Sequence, residues 1–279
     1  MFLRHSILYG LVVVMAAGLL PSMAHSAADA ASQDSLSYAD LADLALPAKI
    51  VAKVQITEAI PLKTAQNAAP AAGSERFYLT ARIVDLVRGQ VDTPQTISFV
   101  TDVQRDQRGK VPKVKNTIAI IFARPVAGHP GDVQLDAPDA AIGWTTQRES
   151  VVRSILIAAA APDSPPAIAG VDSAFSVPGT IPGERETQIF LQTDSRPVSL
   201  VIARHANEAP SWTVALGEIV DHGVPPPPHD SLLWYQLACH LPRDVPVAKL
   251  VAVPDQAEAI RSDYAVVMQG LGPCVRGRR

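Results

Sequence analysis

Two segments in the first half of the chain alternate between apolar and polar residues. Residues 50–57 do so, and residues 77–83 repeat the pattern. A period of two places the apolar side chains on one face, so both segments are predicted as half-buried strands. The alternation slips at residues 85–87, which indicates a β-bulge. Residues 61–74 lie between the two segments, are rich in Ala and Pro without any period, and are predicted to form a surface loop.

Three further strands and one closing helix complete the first predicted unit, and a short helix precedes it. The strands are expected at residues 96–103, 117–123 and 133–135. The second of these is almost entirely apolar, as a central strand would be. A short helix is predicted over residues 38–46 and is stopped by Pro47. A longer helix follows the last strand, because Thr146–Glu149 has the spacing of a capping box and apolar residues at helical spacing come after it.

The second half of the chain begins after a Pro-rich segment. Residues 161–166 read Ala-Pro-Asp-Ser-Pro-Pro, and we place a linker and a domain boundary there. Beyond it, strands follow one another about ten residues apart with turns between them, so antiparallel pairing is expected. These strands are predicted at residues 168–176, 187–192, 198–203 and 212–216.

Two helices are predicted near the carboxyl end. Residues 223–228 include four consecutive prolines and must be stiff and extended. Asp230 stands where a helix cap is needed, before a helix that contains the first cysteine. The last helix begins at Asp255, whose spacing to Glu258 again resembles a capping box, and it is ended by Gly270 and the Gly-Pro pair that follows.

Composition and charge narrow the classes of protein. Of the 279 residues, 48% are hydrophobic and 18% are charged, which suits a folded chain of one large or two modest domains. Lys and Arg number 24 against 27 Asp and Glu, for a formal net charge of -3. Because the chain has no overall positive charge, it is not expected to bind nucleic acid.

The amino-terminal segment has the layout of a secretory signal peptide. Arg4 precedes an apolar run over residues 7–20, and small residues follow it. The alternative is a membrane anchor, but the run has 14 residues where a spanning helix needs about 20. We therefore predict cleavage near Ala24, with residues 1–24 as the signal peptide and 25–47 as a tail that includes the short helix. The product is expected to be periplasmic or secreted, without a transmembrane segment.

Export favours a bond between the two cysteines. Cys239 and Cys274 are both retained after the predicted cleavage and would meet an oxidising compartment. Two free thiols or half a metal site are the alternatives, but the spacing matches no zinc pattern and contains no Cys-x-x-Cys. The expected disulfide would staple the two carboxyl-terminal helices as an antiparallel pair on the second sheet.

The order of elements over residues 48–160 resembles that of secreted small barrels of the OB-fold and netrin-like type. This resemblance implies a small barrel with a closing helix and carries no active-site residues. The strings Pro178–Phe190, Trp234–Cys239 and Leu271–Cys274 resemble exported proteins of alphaproteobacterial type that have no assigned activity. The predicted fold is therefore α+β and mostly antiparallel, with an OB-like barrel domain and one helix, then a smaller β-sheet domain at 167–279 covered by two disulfide-linked helices.

Catalytic residues are not assigned. The sequence has no G-x-S-x-G elbow, no H-E-x-x-H and no Gly-rich phosphate loop. Two acidic pairs have the residue type for general acid and base catalysis, but carboxylates in turns are usually solvated. These pairs are Asp136 with Asp139 and Glu184 with Glu186. Asp40 and Asp43 near the mature start are interpreted as solvated too.

The densest group of metal-ligand residue types surrounds the four prolines. Imidazole and carboxylate groups suit zinc or copper. The rigid prolines hold the two halves of the group apart, so a polar turn is expected in place of a metal site, and no cofactor is predicted. The weak metal candidates are Asp221, His222, His229 and Asp230, with His240 on the following helix.

The strongest candidate for an interaction site is a basic loop between two predicted strands. Its five cations are Arg105, Arg108, Lys110, Lys113 and Lys115. Such a loop suits anionic lipid heads, lipopolysaccharide phosphates or an acidic partner, although most charged loops are simply solvated. The leading hypothesis is a non-enzymatic binding protein of the cell envelope, whose macromolecular partner is unidentified. The alternatives are a hydrolase with a dispersed site between the domains and a secreted protease inhibitor.

Overall fold

Two antiparallel β-sheets and the helices that contact them make up the protein in a computed structural model, which describes residues 36–62, 69–217, 223–250 and 254–278. The predicted signal peptide at residues 1–24 lies outside the described residues. The residues from Leu36 onward form one compact unit. The α+β class and the mostly antiparallel pairing are confirmed.

The alternating segments form the two longest strands of the first sheet. Its strands are β1 (Ile50–Pro61), β2 (Ser74–Arg88), β3 (Thr96–Gln104), β4 (Ile118–Pro125), β5 (Val133–Leu135) and β6 (Ala141–Gly143). Their order is β3-β2-β1-β4-β5, and β6 also pairs with β4. The predicted slip is present, because the register between β1 and β2 shifts where Lys53 pairs with Asp85 and Val54 pairs with Ile83.

The core of the first sheet is built from the apolar face of each strand and from two helices. Helix α1 (Tyr38–Ala45) precedes the sheet, and helix α2 (Thr146–Ala160) follows it. Residues 120–123 of β4 are fully buried, because this strand lies inside the sheet between β1 and the short strands β5 and β6. Ile155 on the inner face of α2 is also fully buried, whereas Ile157 is 71% exposed, so the helix is amphipathic.

The pairing leaves this sheet open. Its edge strands, β3 and β5, meet at an isolated bridge between Ser98 and Asp132, where the Ser98 N–H donates to the Gly131 carbonyl at 2.8 Å. A closed barrel is therefore not found in the part of the chain that the structure describes, in contrast to the predicted OB-like barrel. The reason is that β5 has three residues, which pair with β4 and form no ladder with β3.

The second sheet is an antiparallel meander covered by helices. Its strands are β7 (Ile168–Pro178), β8 (Arg185–Thr193), β9 (Val198–Arg204) and β10 (Ser211–Ala215), in the order β10-β9-β8-β7. The helices are α3 (Leu232–His240), α4 (Val247–Leu250) and α5 (Ala257–Leu271), with a 3-10 turn at Pro254–Gln256. The face with Ile189, Leu200 and Ile202 is completely buried. Of the helices described, none is both long enough and apolar enough to cross a membrane.

The predicted disulfide is confirmed. Cys239 in the last turn of α3 and Cys274 beyond α5 are bonded, with 5.1 Å between their Cα atoms. Beside the bond, the indole N–H of Trp234 donates to the Leu271 carbonyl at 2.8 Å. The bond thus joins the end of one helix to the segment just past the other.

Three of the predicted helix caps are wrong. Thr145, not Thr146, caps α2, and its hydroxyl accepts from the Arg148 N–H at 3.1 Å. Ser231, not Asp230, caps α3. At α5 no side-chain cap bond is present, because the residues around 255 form the 3-10 turn. In the first two cases the neighbouring residue is equally able to cap, so the backbone angle of the preceding loop decides between them.

Residues 161–166 connect α2 to β7. The Arg196 guanidinium donates to the carbonyls of Asp163 and Ser164 and so ties this segment to the β8–β9 turn. The interpretation of these residues as a boundary between two domains stays a prediction.

Candidate functional site

The basic loop between β3 and β4 has a backbone that its own residues hold in shape. The Asp106 carboxylate accepts hydrogen bonds from the backbone N–H groups of Arg108 at 2.9 Å and Lys110 at 2.8 Å, which closes a tight turn. Gly109 in this turn has a φ of 74°, a left-handed conformation that glycine adopts without steric cost.

The loop is also tied to the rest of the sheet. The Arg105 guanidinium donates to the Glu75 carboxylate at 2.5 Å and to the Gly109 carbonyl at 2.9 Å. Val111 and Val114 are partly buried and pack against the core. Arg105 therefore serves the architecture of the loop, and the apolar residues hold its far side against the sheet.

The other four predicted cations all point their charge toward solvent. Arg108, Lys110, Lys113 and Lys115 are exposed. Within the described ranges none of them forms an ion pair, whereas Arg105 is paired. The structure therefore brings the predicted residues together on one loop but divides them into one anchor and four exposed charges.

A cleft of about 640 Å³ lies at the opposite end of the first sheet. Its walls are the turn between β2 and β3, the turn between β4 and β5, and Lys49, which precedes β1. Because β3 contains 9 residues, each rising about 3.3 Å, the cleft and the basic loop are roughly 25 Å apart. The two features are separate surfaces.

Arg88 is the partly buried cation of this cleft. Its Nη1 donates to the carbonyls of Ala45 at 3.0 Å, Leu46 at 3.2 Å and Ala48 at 3.2 Å, at the end of α1. No carboxylate in the described part of the chain pairs with it, and burial lowers the pKa of Arg88 from its ordinary value. Arg88 was not predicted as a site residue, since a basic residue at the end of a strand carries no local signal of its partners.

A second cleft of about 510 Å³ lies between β3 and β5. Two ion pairs border it: Arg76 with Asp102 at 2.6 Å, and Arg124 with Asp136 at 3.1 Å. The other carboxylate oxygen of Asp136, Oδ2, is buried without a hydrogen-bond partner among the described residues. Asp136 was interpreted as solvated, and the structure places most of its side chain inside the fold.

Asp263 on α5 is a completely buried carboxylate that binds two arginines of the second sheet. Arg185 donates to it through two nitrogens at 2.8 Å each, Arg204 also donates to it, and the Thr187 hydroxyl donates at 2.6 Å. Burial alone would raise the pKa of Asp263, but these hydrogen bonds outweigh it and lower the pKa. The sequence does hold a signal here, because Asp263 lies three residues after Ile260 on the apolar stripe of the helix.

The amino-terminal acids are ordered residues, so their interpretation as solvated is wrong. Asp40 is 1% exposed and accepts backbone N–H bonds from Gly277 at 2.9 Å and Arg278 at 3.0 Å. Asp43 accepts from the Tyr235 hydroxyl at 2.6 Å and pairs with Arg276 at 2.6 Å. The carboxyl-terminal segment is therefore bound to α1.

These hydrogen bonds also determine the pKa of Asp40 on α1. Burial would raise the pKa of Asp40, but the hydrogen bonds from Gly277, Arg278 and Ser37 lower it overall.

The remaining members of the two predicted acidic pairs lie in different surroundings. Asp139, which was paired with Asp136 in the prediction, binds the Arg278 guanidinium at 2.6 Å. Of the other predicted pair, Glu186 is exposed and Glu184 is partly buried.

Glu149 is the centre of a charged cluster on α2. The indole N–H of Trp144 donates to its carboxylate at 2.5 Å, and Lys53 donates at 3.1 Å while lying 3.9 Å from the centre of the Trp144 ring. Arg153 donates from one turn further along the helix. The Trp144 hydrogen bond contributes most to lowering the pKa of Glu149 to about 2, against the effect of burial.

The weak metal candidates are not assembled into a site in the residues that can be described. Asp221 and His222 lie outside them. The His229 ring packs on Trp234 with 4.9 Å between ring centres, and Asp230 has a φ of 58° in the turn before α3. His240 packs on Tyr235. Across the described ranges, no group of three or more His, Cys, Asp or Glu side chains is placed to hold a metal ion.

No family model matches the sequence, and no curated protein matches it significantly.

Proposed function

We propose that this protein is exported to the cell envelope and binds an anionic macromolecule there through the basic loop between β3 and β4, without catalysing a reaction. One observation carries the proposal. Arg108, Lys110, Lys113 and Lys115 are exposed on a backbone that Asp106 holds in a turn. A cation cluster of this kind attracts a surface of opposite charge over a distance of about a Debye length, roughly 8 Å at physiological salt.

The fixed backbone favours binding over simple solvation of the loop. Ordering a flexible loop on binding costs conformational entropy, and a loop that is already ordered avoids most of that cost. The Arg105–Glu75 pair and the packed valines supply this order before any partner arrives. The exposed lysines then only need to orient their side chains.

Export is supported by the amino-terminal pattern and by the disulfide. The bond between Cys239 and Cys274 suits an oxidising compartment, because cytosolic reductants keep most protein thiols reduced. These two features together support a periplasmic or secreted location.

The test compares two variants with the same change in net charge. One variant carries Arg108→Glu and Lys113→Glu in the loop, and the control carries Arg243→Glu and Arg261→Glu at exposed positions elsewhere. Arg105 is left intact because its replacement would disturb the loop itself. The oxidised proteins are applied to heparin, used as a polyanion probe, and are crosslinked to their partners in intact cells.

We expect the wild-type protein and the control to remain bound to heparin at a salt concentration that releases the loop variant. The loop variant should also lose the crosslinked species that the other two retain. Equal elution and equal crosslinking of the two variants would show that the loop does not make the contact.

A further inference from the structure

We infer that the cleft at the opposite end of the first sheet, between the β2–β3 and β4–β5 turns, binds a small organic anion with an apolar body, and that Arg88 and Lys49 bind its charged group. This inference goes beyond the proposed function, because it concerns a small molecule and a surface roughly 25 Å from the basic loop.

The first argument is the size and lining of the cleft. Its volume of about 640 Å³ lies within the range of about 300–1,000 Å³ that small-molecule sites occupy. The apolar part of the wall includes Pro94, Pro125, Val126 and Pro130. Each proline fixes the φ angle at its position, which limits the conformational entropy that these turns can lose when a ligand binds.

The second argument is that the Arg88 guanidinium has no carboxylate partner in the described chain, and the two nitrogens that make no hydrogen bond are not buried. Nη1 carries two hydrogens, which are shared among the three carbonyls at the end of α1. Nε and Nη2 have no partner within the residues the structure describes, although Arg88 is partly buried and lines the cleft. A partly buried cation without a counter-ion is costly, and an anion in the cleft would supply one.

The third argument is the balance of charge around the cleft. Arg124 is paired with Asp136, and Asp132 accepts from Tyr78 and lies near His129. The described lining then retains two cations, Lys49 and Arg88, against two carboxylates, because the uncharged Tyr78 hydroxyl does not cancel the charge of Asp132. The two carboxylates are Asp132 and Asp92, and Asp92 is exposed on the β2–β3 turn. The net charge of the lining is therefore close to zero, and the preference for an anion rests on Arg88, the cation that is partly buried without a carboxylate partner in the described chain.

The experiment uses two fluorescent probes with related aromatic bodies, anilinonaphthalene sulfonate and the uncharged N-phenylnaphthylamine. Each is titrated into the oxidised full chain. The main variant is Lys49→Glu, because Lys49 is exposed and forms no ion pair in the described chain. Arg261→Glu on α5 is the control with the same change in charge. Arg88→Gln is the second variant, with circular dichroism to verify that α1 still folds.

The sulfonate should bind the wild-type protein more tightly than the uncharged probe does. Lys49→Glu should weaken sulfonate binding roughly fivefold and Arg88→Gln by at least about tenfold, whereas Arg261→Glu should leave it unchanged. Affinity for the uncharged probe should stay the same in the folded variants. If Lys49→Glu and Arg261→Glu bind the sulfonate equally, or if the two probes bind the wild-type protein equally well, the inference is wrong.

Discussion

The buried carboxylate of Asp263 gives the sharpest stability prediction. Its replacement by asparagine keeps the size of the side chain and a hydrogen-bond acceptor for the Thr187 hydroxyl. It removes the negative charge that neutralises Arg185 and Arg204, whose side chains are 27% and 24% exposed. Two guanidinium groups would then face each other near the core without a counter-ion.

The magnitude follows from this loss of the shared partner. Removing one member of a buried ion pair costs about 3–5 kcal/mol, because the remaining charge stays desolvated. The two arginines keep about a quarter of their exposure to water, so we expect the lower end, about 3 kcal/mol. With a urea m-value of about 3 kcal/mol per molar, the unfolding midpoint of the oxidised protein should fall by about 1 M.

The pH dependence provides a second readout. The pKa of Asp263 is lowered in the folded protein. Its contribution to the free energy of unfolding is therefore complete above the unfolded-state pKa of about 3.9 and is lost as the pH falls through the folded-state pKa. The difference in urea unfolding midpoint between the wild-type protein and Asp263→Asn should therefore become smaller at acid pH. Asp172→Asn is the control, since Asp172 is 63% exposed and lies 3.6 Å from Lys249. A midpoint shift no larger than that of the control would refute the reasoning.

Three other perturbations have defined outcomes. Replacing both Cys239 and Cys274 with serine should lower the free energy of unfolding by about 3–4 kcal/mol, measured by thermal denaturation. An unchanged melting temperature would show that the disulfide does not stabilise the fold. Glu149→Gln should lower the free energy of unfolding by about 2 kcal/mol at neutral pH. Because the pKa of Glu149 is lowered to about 2, the carboxylate stabilises the fold fully above about pH 4.3, and this stabilisation should disappear as the pH falls toward about 2. A stability difference between the variant and the wild type that persists in acid would contradict the charged cluster. Asp40→Asn should cost about 1–3 kcal/mol and speed hydrogen exchange at residues 277–278, whereas unchanged exchange would disprove their bond to α1.

Local patterns predicted the described strands other than β6, because alternation or an apolar run needs no information beyond each segment. Strand β6 has three residues and was not predicted. The slip after Ile83 even marked the shift in register between β1 and β2. The helix caps were harder to predict, because two adjacent residues at each helix start are able to cap. Thr145 and Thr146 are both suitable before α2, and Asp230 and Ser231 are both suitable before α3. Whether the first sheet closes depends on how β5 meets β3, and no local pattern encodes that contact.

The charged sites were predicted unevenly for a similar reason. The basic loop is contiguous in sequence, so its cations were identified together, but the anchoring role of Arg105 depends on Glu75, 30 positions away. Arg88 meets carbonyls at least 40 positions upstream, and Asp263 binds arginines 59 and 78 positions upstream. Such pairings arise only when the sheets assemble.

The contact between Asp40 and the segment around Gly277 also sets the order in which the protein can be completed. These residues are separated by 237 positions, so the carboxylate of the earliest described helix receives its final donors after every strand has been synthesised. Closing so long a loop is entropically slow, and sequence-distant contacts of this kind delay folding. A nascent chain that lacks its carboxyl-terminal segment therefore leaves Asp40 without these donors, so the region around α1 gains its last contacts only when synthesis reaches residue 278.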